Sequence, residues 1–163
     1  MARIAEAAGV SRPALYQYFG DKDEIFASAF VGLFEDLVDG AILALEGSGT
    51  TAQRLDGFLQ RYEGDLFERM SASRHVDEII GAKNEQVAAA AAEVVARLTD
   101  SLDAYLDAAV SGPSEAQDAR RTGWVEMLRL APKGFRFDQP SVAEFRRRLT
   151  HLADVIGAAV DAP

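Results

Sequence analysis

The sequence predicts an all-α fold, with a small head of short helices joined by a tight turn and a larger helical body behind it. Three observations carry this reading. Apolar residues recur at three- and four-residue steps along nearly the whole chain, the period of a helix with one buried face. Capping pairs precede those runs at Asp21/Glu24, Thr50/Gln53, Ser114/Gln117 and Ser141/Glu144. Glycine and proline clusters at Gly47 to Gly49, Ser111 to Pro113 and Pro132 to Gly134 separate the runs.

The head opens with Ile4, Ala5, Ala7 and Ala8, mostly small, helix-favouring residues, and Gly9 stands where such a helix must stop and turn with positive φ. Val10 is expected to plug the angle between this helix and the next. Ser11 is a good N-cap, and Pro13 sits in the first turn, where its missing N–H costs nothing. Leu15, Tyr18 and Phe19 provide an apolar side at helical spacing, which leaves Arg12, Ala14, Tyr16 and Gln17 facing outward. Such a pair of helices offers one of them to a DNA groove.

Behind the head, Phe26, Phe30, Leu33, Phe34, Leu37, Val38, Ala41, Ile42 and Leu45 predict one long helix from Lys22 to about Leu45, with Gly32 and Gly40 as weak points. Thr50 then opens a helix carrying Leu55, Phe58, Leu59, Tyr62, Leu66 and Met70. A shorter piece is expected from His75 to Ile80, ending near Gly81, and a long helix from about Asn84 to Val110. The inward set of that helix runs from Val87 and Ala91 through Val94, Val95, Leu98, Leu102, Tyr105 and Leu106 to Ala109. The next helix is expected to end near Ala131, before a loop at Pro132, Lys133 and Gly134. In it Ala116, Ala119 and Gly123 form a stripe of small residues that would let another helix approach closely. The last helix follows a strict alternation at Val142, Phe145, Leu149, Leu152, Ile156 and Ala159. A seam this regular is either an internal core face or a dimer interface.

With 163 residues, 48% of them hydrophobic, the chain is long enough for a substantial core. No segment has the length of a membrane span and no signal peptide opens the chain, so a soluble, cytoplasmic protein is expected. The absence of cysteine excludes disulfides, thiolate metal sites and a cysteine nucleophile. The net charge of −9 is awkward for DNA binding, which draws its affinity from lysine and arginine. Residues 1 to 30 carry three cations (Arg3, Arg12, Lys22) against four carboxylates (Glu6, Asp21, Asp23, Glu24), a net of −1, so −8 lies in the body. An acidic body orients a near-neutral head toward DNA without adding affinity.

The inventory for catalysis is thin. The two histidines, His75 and His151, lie far apart, with no HExxH pattern. Glu35, Asp36 and Asp39 read as a solvated face rather than a metal site, and so do Arg146, Arg147 and Arg148. Gly47-Ser48-Gly49-Thr50 is a loop with no Walker lysine. No enzyme, cofactor or metal is expected. A ligand pocket is more plausible: Phe58, Tyr62, Phe67, Tyr105 and Trp124 lie on three helices that can converge around a small, largely hydrophobic molecule.

Ile4-Ala5, Ala8-Gly9-Val10-Ser11, Leu15-Tyr16, Tyr18-Phe19, Lys22 and Ile25 together resemble the DNA-binding segment of the tetracycline-repressor (TetR) family of bacterial regulators. The resemblance implies a DNA-binding segment over residues 1–30 and a ligand-binding and dimerisation domain over residues 31–163. It also implies a homodimer paired through its last two helices, with two recognition helices about 34 to 36 Å apart on a near-palindromic operator. Ser11, Arg12, Ala14, Tyr16, Gln17, Tyr18 and Lys22 would then lie against DNA, with Arg12 and Gln17 on base edges and Tyr16, Tyr18 and Lys22 on phosphates. Repression relieved by a small effector is the family default.

In that family a further helix precedes this segment and packs across it, whereas this chain begins at the segment itself. If the helix is absent, Ile4, Val10, Leu15 and Phe19 lose a cover, and this chain is expected to bind DNA poorly even where a longer parent binds well. The alternative is a dimeric, ligand-binding adaptor without DNA binding.

Overall fold

A computed structural model describes residues 1–72, 85–110 and 115–162, and among these every regular element is helical. The head comprises α1 (Ala2–Ala7), α2 (Arg12–Tyr18) and the start of α3 (Lys22–Glu46). The body continues with α4 (Thr51–Leu59), a π-helical turn (Gln60–Gly64), α5 (Asp65–Ala72), α6 (Glu85–Ala109), α7 (Glu115–Phe135) and α8 (Val142–Val160). The helical piece expected at His75 to Ile80, the stop at Ser111 to Pro113 and the cap at Ser114 lie outside the described residues.

The caps form where the residue types require them. Gly9 has φ +66°, and the backbone N–H groups of Gly9 and Val10 donate to the carbonyls of Glu6 and Ala5 at 3.2 and 3.0 Å, the paired bonds that close a helix on a left-handed glycine. Asp21 accepts from the Glu24 N–H at 2.8 Å, while the Glu24 carboxylate reaches back to the Gly20 N–H at 2.6 Å. Thr50 and Gln53 complete a reciprocal capping box. The helix from Lys22 passes Gly32 and Gly40 unbroken, and it carries the expected domain boundary at residue 30 within it.

Four expectations are corrected. The helix opened by Thr50 is interrupted by the π turn, whose extra residue brings Tyr62, Glu63 and Gly64 into the interior in succession. Gly64 leaves room for the Arg146 guanidinium, whose Nη1 would stand 2.6 Å from a Cβ there. Pro132 does not end its helix: α7 runs on to Phe135, and the Pro132 ring is fully buried, so packing offsets the hydrogen bond it removes. Val10 is 45% exposed and plugs nothing, and Tyr18, 77% exposed, has no part in an apolar side; Ala5 and Leu15 are the buried residues of the head. The arginine triplet is not a uniformly solvated face. Arg146 binds Asp65 and Glu68, and Arg148 binds Asp138 and Glu144, which leaves Arg147 outermost.

The regular seam of α8 is an internal core face. Phe145, Leu149 and Ile156 are buried within the single chain, packed with Leu55, Leu59 and Leu102. At Gly157 the backbone of Ala52 comes so close that a Cβ would lie 2.6 Å from its Cα. The seam is therefore spent inside the subunit. The outward side of α7 and α8 instead shows Met127, Leu130 and Val155, and a Cβ on Gly123 would meet nothing within 4 Å.

Candidate functional site

Helix α2 is held by one end and one side. Ser11 Oγ accepts from the Ala14 N–H at 3.2 Å, which fixes the first turn, and Leu15 anchors the helix to the head. The opposite side is open: Ser11, Arg12, Tyr16, Gln17 and Tyr18 are exposed, as is Lys22 at the start of α3, while Ala14 is half-buried. Arg12 and Tyr16 are four residues apart and share a helix face. The Arg12 guanidinium lies 5.6 Å from the Tyr16 ring centre and 3.5 Å from its hydroxyl, so its donors are partly ordered before any contact is made. Among the described residues neither Arg12 nor Lys22 is taken up in an ion pair. This is a short, protruding rod with amide, guanidinium and phenol groups on its free side, the group types that meet base edges and phosphates.

Residues 1–29 match the family described as bacterial regulatory proteins, tetR family. The head, residues 1–29, is thus similar to the family's helix-turn-helix segment. A stretch of 62 residues is also 36% identical to the HTH-type transcriptional activator FasR of Mycolicibacterium smegmatis, covering 38% of this chain and 28% of that protein. Both likenesses concern a minority of the chain, and the chain spans little more than a quarter of that relative's length.

The aromatic set expected to line a pocket does not converge as a whole. Phe58 and Tyr62 line one cavity of about 80 Å³ between α4, α6 and α7, with Leu98, Leu102 and Leu128. Phe67 faces elsewhere and stacks on Phe145 at 4.3 Å. Trp124 borders a separate, more polar recess with Arg120 and Asp161, and Tyr105 lines neither space.

The cavity also carries charged groups that the aromatic pattern of the sequence does not point to. Glu63 lies at its edge, only 6% exposed, and accepts a very short hydrogen bond from Arg136, whose guanidinium also lies over the Phe67 and Phe145 rings. Burial pushes the Glu63 carboxyl above its ordinary value, while the charges of Arg136 and Lys133 and the Arg136 hydrogen bond work against this. Burial, then the charge on Glu63, pushes the Tyr62 phenol up to about 12, so it stays a neutral donor. A signal for Glu63 was present: it stands four residues after Leu59 and three before Leu66, on the apolar stripe of its helix. Arg129 and Lys133 also line the cavity, one helical turn apart on α7.

The carboxylates Glu35, Asp36 and Asp39 are exposed, and Asp39 pairs with Arg97 at 2.7 Å. Among the described residues no three metal-ligating side chains gather at one point, and no helix is long and apolar enough to cross a membrane. His151 is exposed on α8, and His75 lies outside the described residues.

Proposed function

We propose that the chain belongs to a cytoplasmic transcriptional regulator that reads a near-palindromic operator through α2 and changes its affinity for that operator when a small effector binds the body. The observation that carries this reading is the free face of α2, where Arg12, Tyr16 and Gln17 project opposite the buried Leu15. Arg12 suits a guanine edge and Gln17 an adenine edge, while Tyr16, Tyr18 and Lys22 flank them as phosphate contacts. The exposed Met127, Leu130 and Val155 support pairing of α7 and α8 with a second copy, because apolar side chains on the outer side of two helices gain from burial. The cavity beside Phe58 and Tyr62 is the effector site. Its present volume is well below the several hundred Å³ of ordinary ligand sites, so an effector would enlarge it on entry.

Repression relieved by the effector is the first form of the proposal. Activation is the second, favoured by the relative from Mycolicibacterium smegmatis being a transcriptional activator. A gel shift of the natural protein on DNA upstream of its own gene tests the common core. Specific retardation that survives competitor DNA supports it, and binding indistinguishable from that to unrelated DNA refutes it. Reporter expression with and without the gene then separates repressor from activator.

A further inference from the structure

The cavity holds an imbalance of charge that the packing does not require. In a chain of net charge −9, the arginines of the body are mostly neutralised: Arg121 has three carboxylates around it, and Arg136, Arg146 and Arg148 each bind at least one. Arg54, Arg69 and Arg120 have no ion pair among the described residues but do not line this cavity, whereas Arg129 and Lys133 do. Both line the cavity on one face of α7, and among the described residues neither has a carboxylate within ion-pair distance. Glu63, the acid at the same cavity, is already bound by Arg136. The walls between are apolar, supplied by Phe58, Leu98, Leu102 and Leu128.

We propose that the cavity takes a compact apolar molecule bearing one anionic group, its body among Phe58, Leu98, Leu102 and Leu128 and its charge against Arg129 and Lys133. The inference rests on reading this cavity as the effector site. A cationic ligand meets two positive charges at the wall and finds the one acid occupied. A neutral ligand leaves both cations as they are and gains only from apolar burial. An anion gains that burial together with charge-assisted hydrogen bonds at a partly desolvated mouth.

The test is a matched trio of probes: 3-phenylpropionate, 3-phenylpropanamide and 3-phenylpropylammonium, titrated into the natural protein by calorimetry at constant ionic strength. The acid is expected to bind about tenfold more tightly than the amide, the ammonium most weakly, and Arg129→Gln with Lys133→Gln to abolish the advantage of the acid while leaving amide binding in place. Amide binding equal to or tighter than that of the acid overturns the anion assignment and leaves the effector site standing. Tightest binding by the ammonium overturns it too and moves recognition to Glu63. Failure of all three to bind removes both the assignment and the cavity as an effector site. Both cations are at least partly exposed, and the wild-type trio decides the question even if the double variant is unstable.

Discussion

Phe34 on α3 meets Tyr62 of the π turn edge to face, with ring centres 6.5 Å apart, and so ends a run of aromatic contacts that starts in the first turns of α3. Phe26 stacks on Phe30 at 6.0 Å, and Phe30 meets Phe34 with tilted rings at 4.7 Å. Because Tyr62 also lines the cavity, one unbroken file of rings joins the effector-site candidate to the helix that leaves the DNA-binding head.

That file makes a measurable demand. In a double-mutant cycle, Phe34→Leu and Tyr62→Leu should be coupled by about 0.5–1.5 kcal/mol in urea-unfolding free energy, as an edge-to-face pair is beyond its buried area. Additive losses would mean that the rings are only neighbours.

Arg136→Ala separates charge from packing. In the variant, Glu63 keeps its burial and loses its counter-charge, so its folded pKa rises further above the value in the unfolded chain. The folded state then holds a proton that the unfolded chain has released, and stability falls as pH rises from the ordinary carboxylate range through the raised folded value. Thermal unfolding should therefore show a deficit of about 3–5 kcal/mol near neutral pH, shrinking toward acid pH to the lost packing on Phe67 and Phe145. A deficit that does not change with pH would contradict an ionised Glu63 in the folded protein.

Two glycines in helices should respond in opposite directions. At Gly157 a Cβ meets the backbone of Ala52, which cannot rotate away, and Gly157→Ala should destabilise by about 1–3 kcal/mol despite the better helix propensity of alanine. At Gly123 nothing stands within 4 Å, and Gly123→Ala should stabilise the isolated subunit by about 0.5–1 kcal/mol. Denaturant melts of the two variants check the pair, and equal shifts would refute the close approach of α8 to α4.

Local chemistry explains what could be read in advance. Gly9, Ser11, Asp21, Thr50 and Ser141 act on backbone groups within four residues of themselves, so their caps are visible in the chain alone. The apolar stripes of α3, α4 and α8 follow from their period. The sequence does not say which partner a stripe meets, so the seam of α8 alone fits a core face or a dimer interface, and the burial of Phe145, Leu149 and Ile156 within the subunit decides between them. Arg146 packs beside Gly64 of the π turn from 82 positions away, and the partner of Glu63 comes from 73 positions away. Pairings at that range leave no periodic trace. The site in the head was readable because α2 is short and self-contained. The cavity was only partly readable because three helices must meet to form it.

The free face of α2 is the claim on which the functional reading rests, and a base-substitution scan tests it most directly. The natural protein and its Arg12→Ala and Gln17→Ala variants should be titrated against an operator in which each base pair is replaced in turn. Each variant should lose discrimination at one or two base pairs per half-site, by about 1–3 kcal/mol, and keep the wild-type preferences elsewhere. Variants that bind every replaced site in the same order as the wild type, with affinity lowered uniformly or not at all, would contradict base reading by α2.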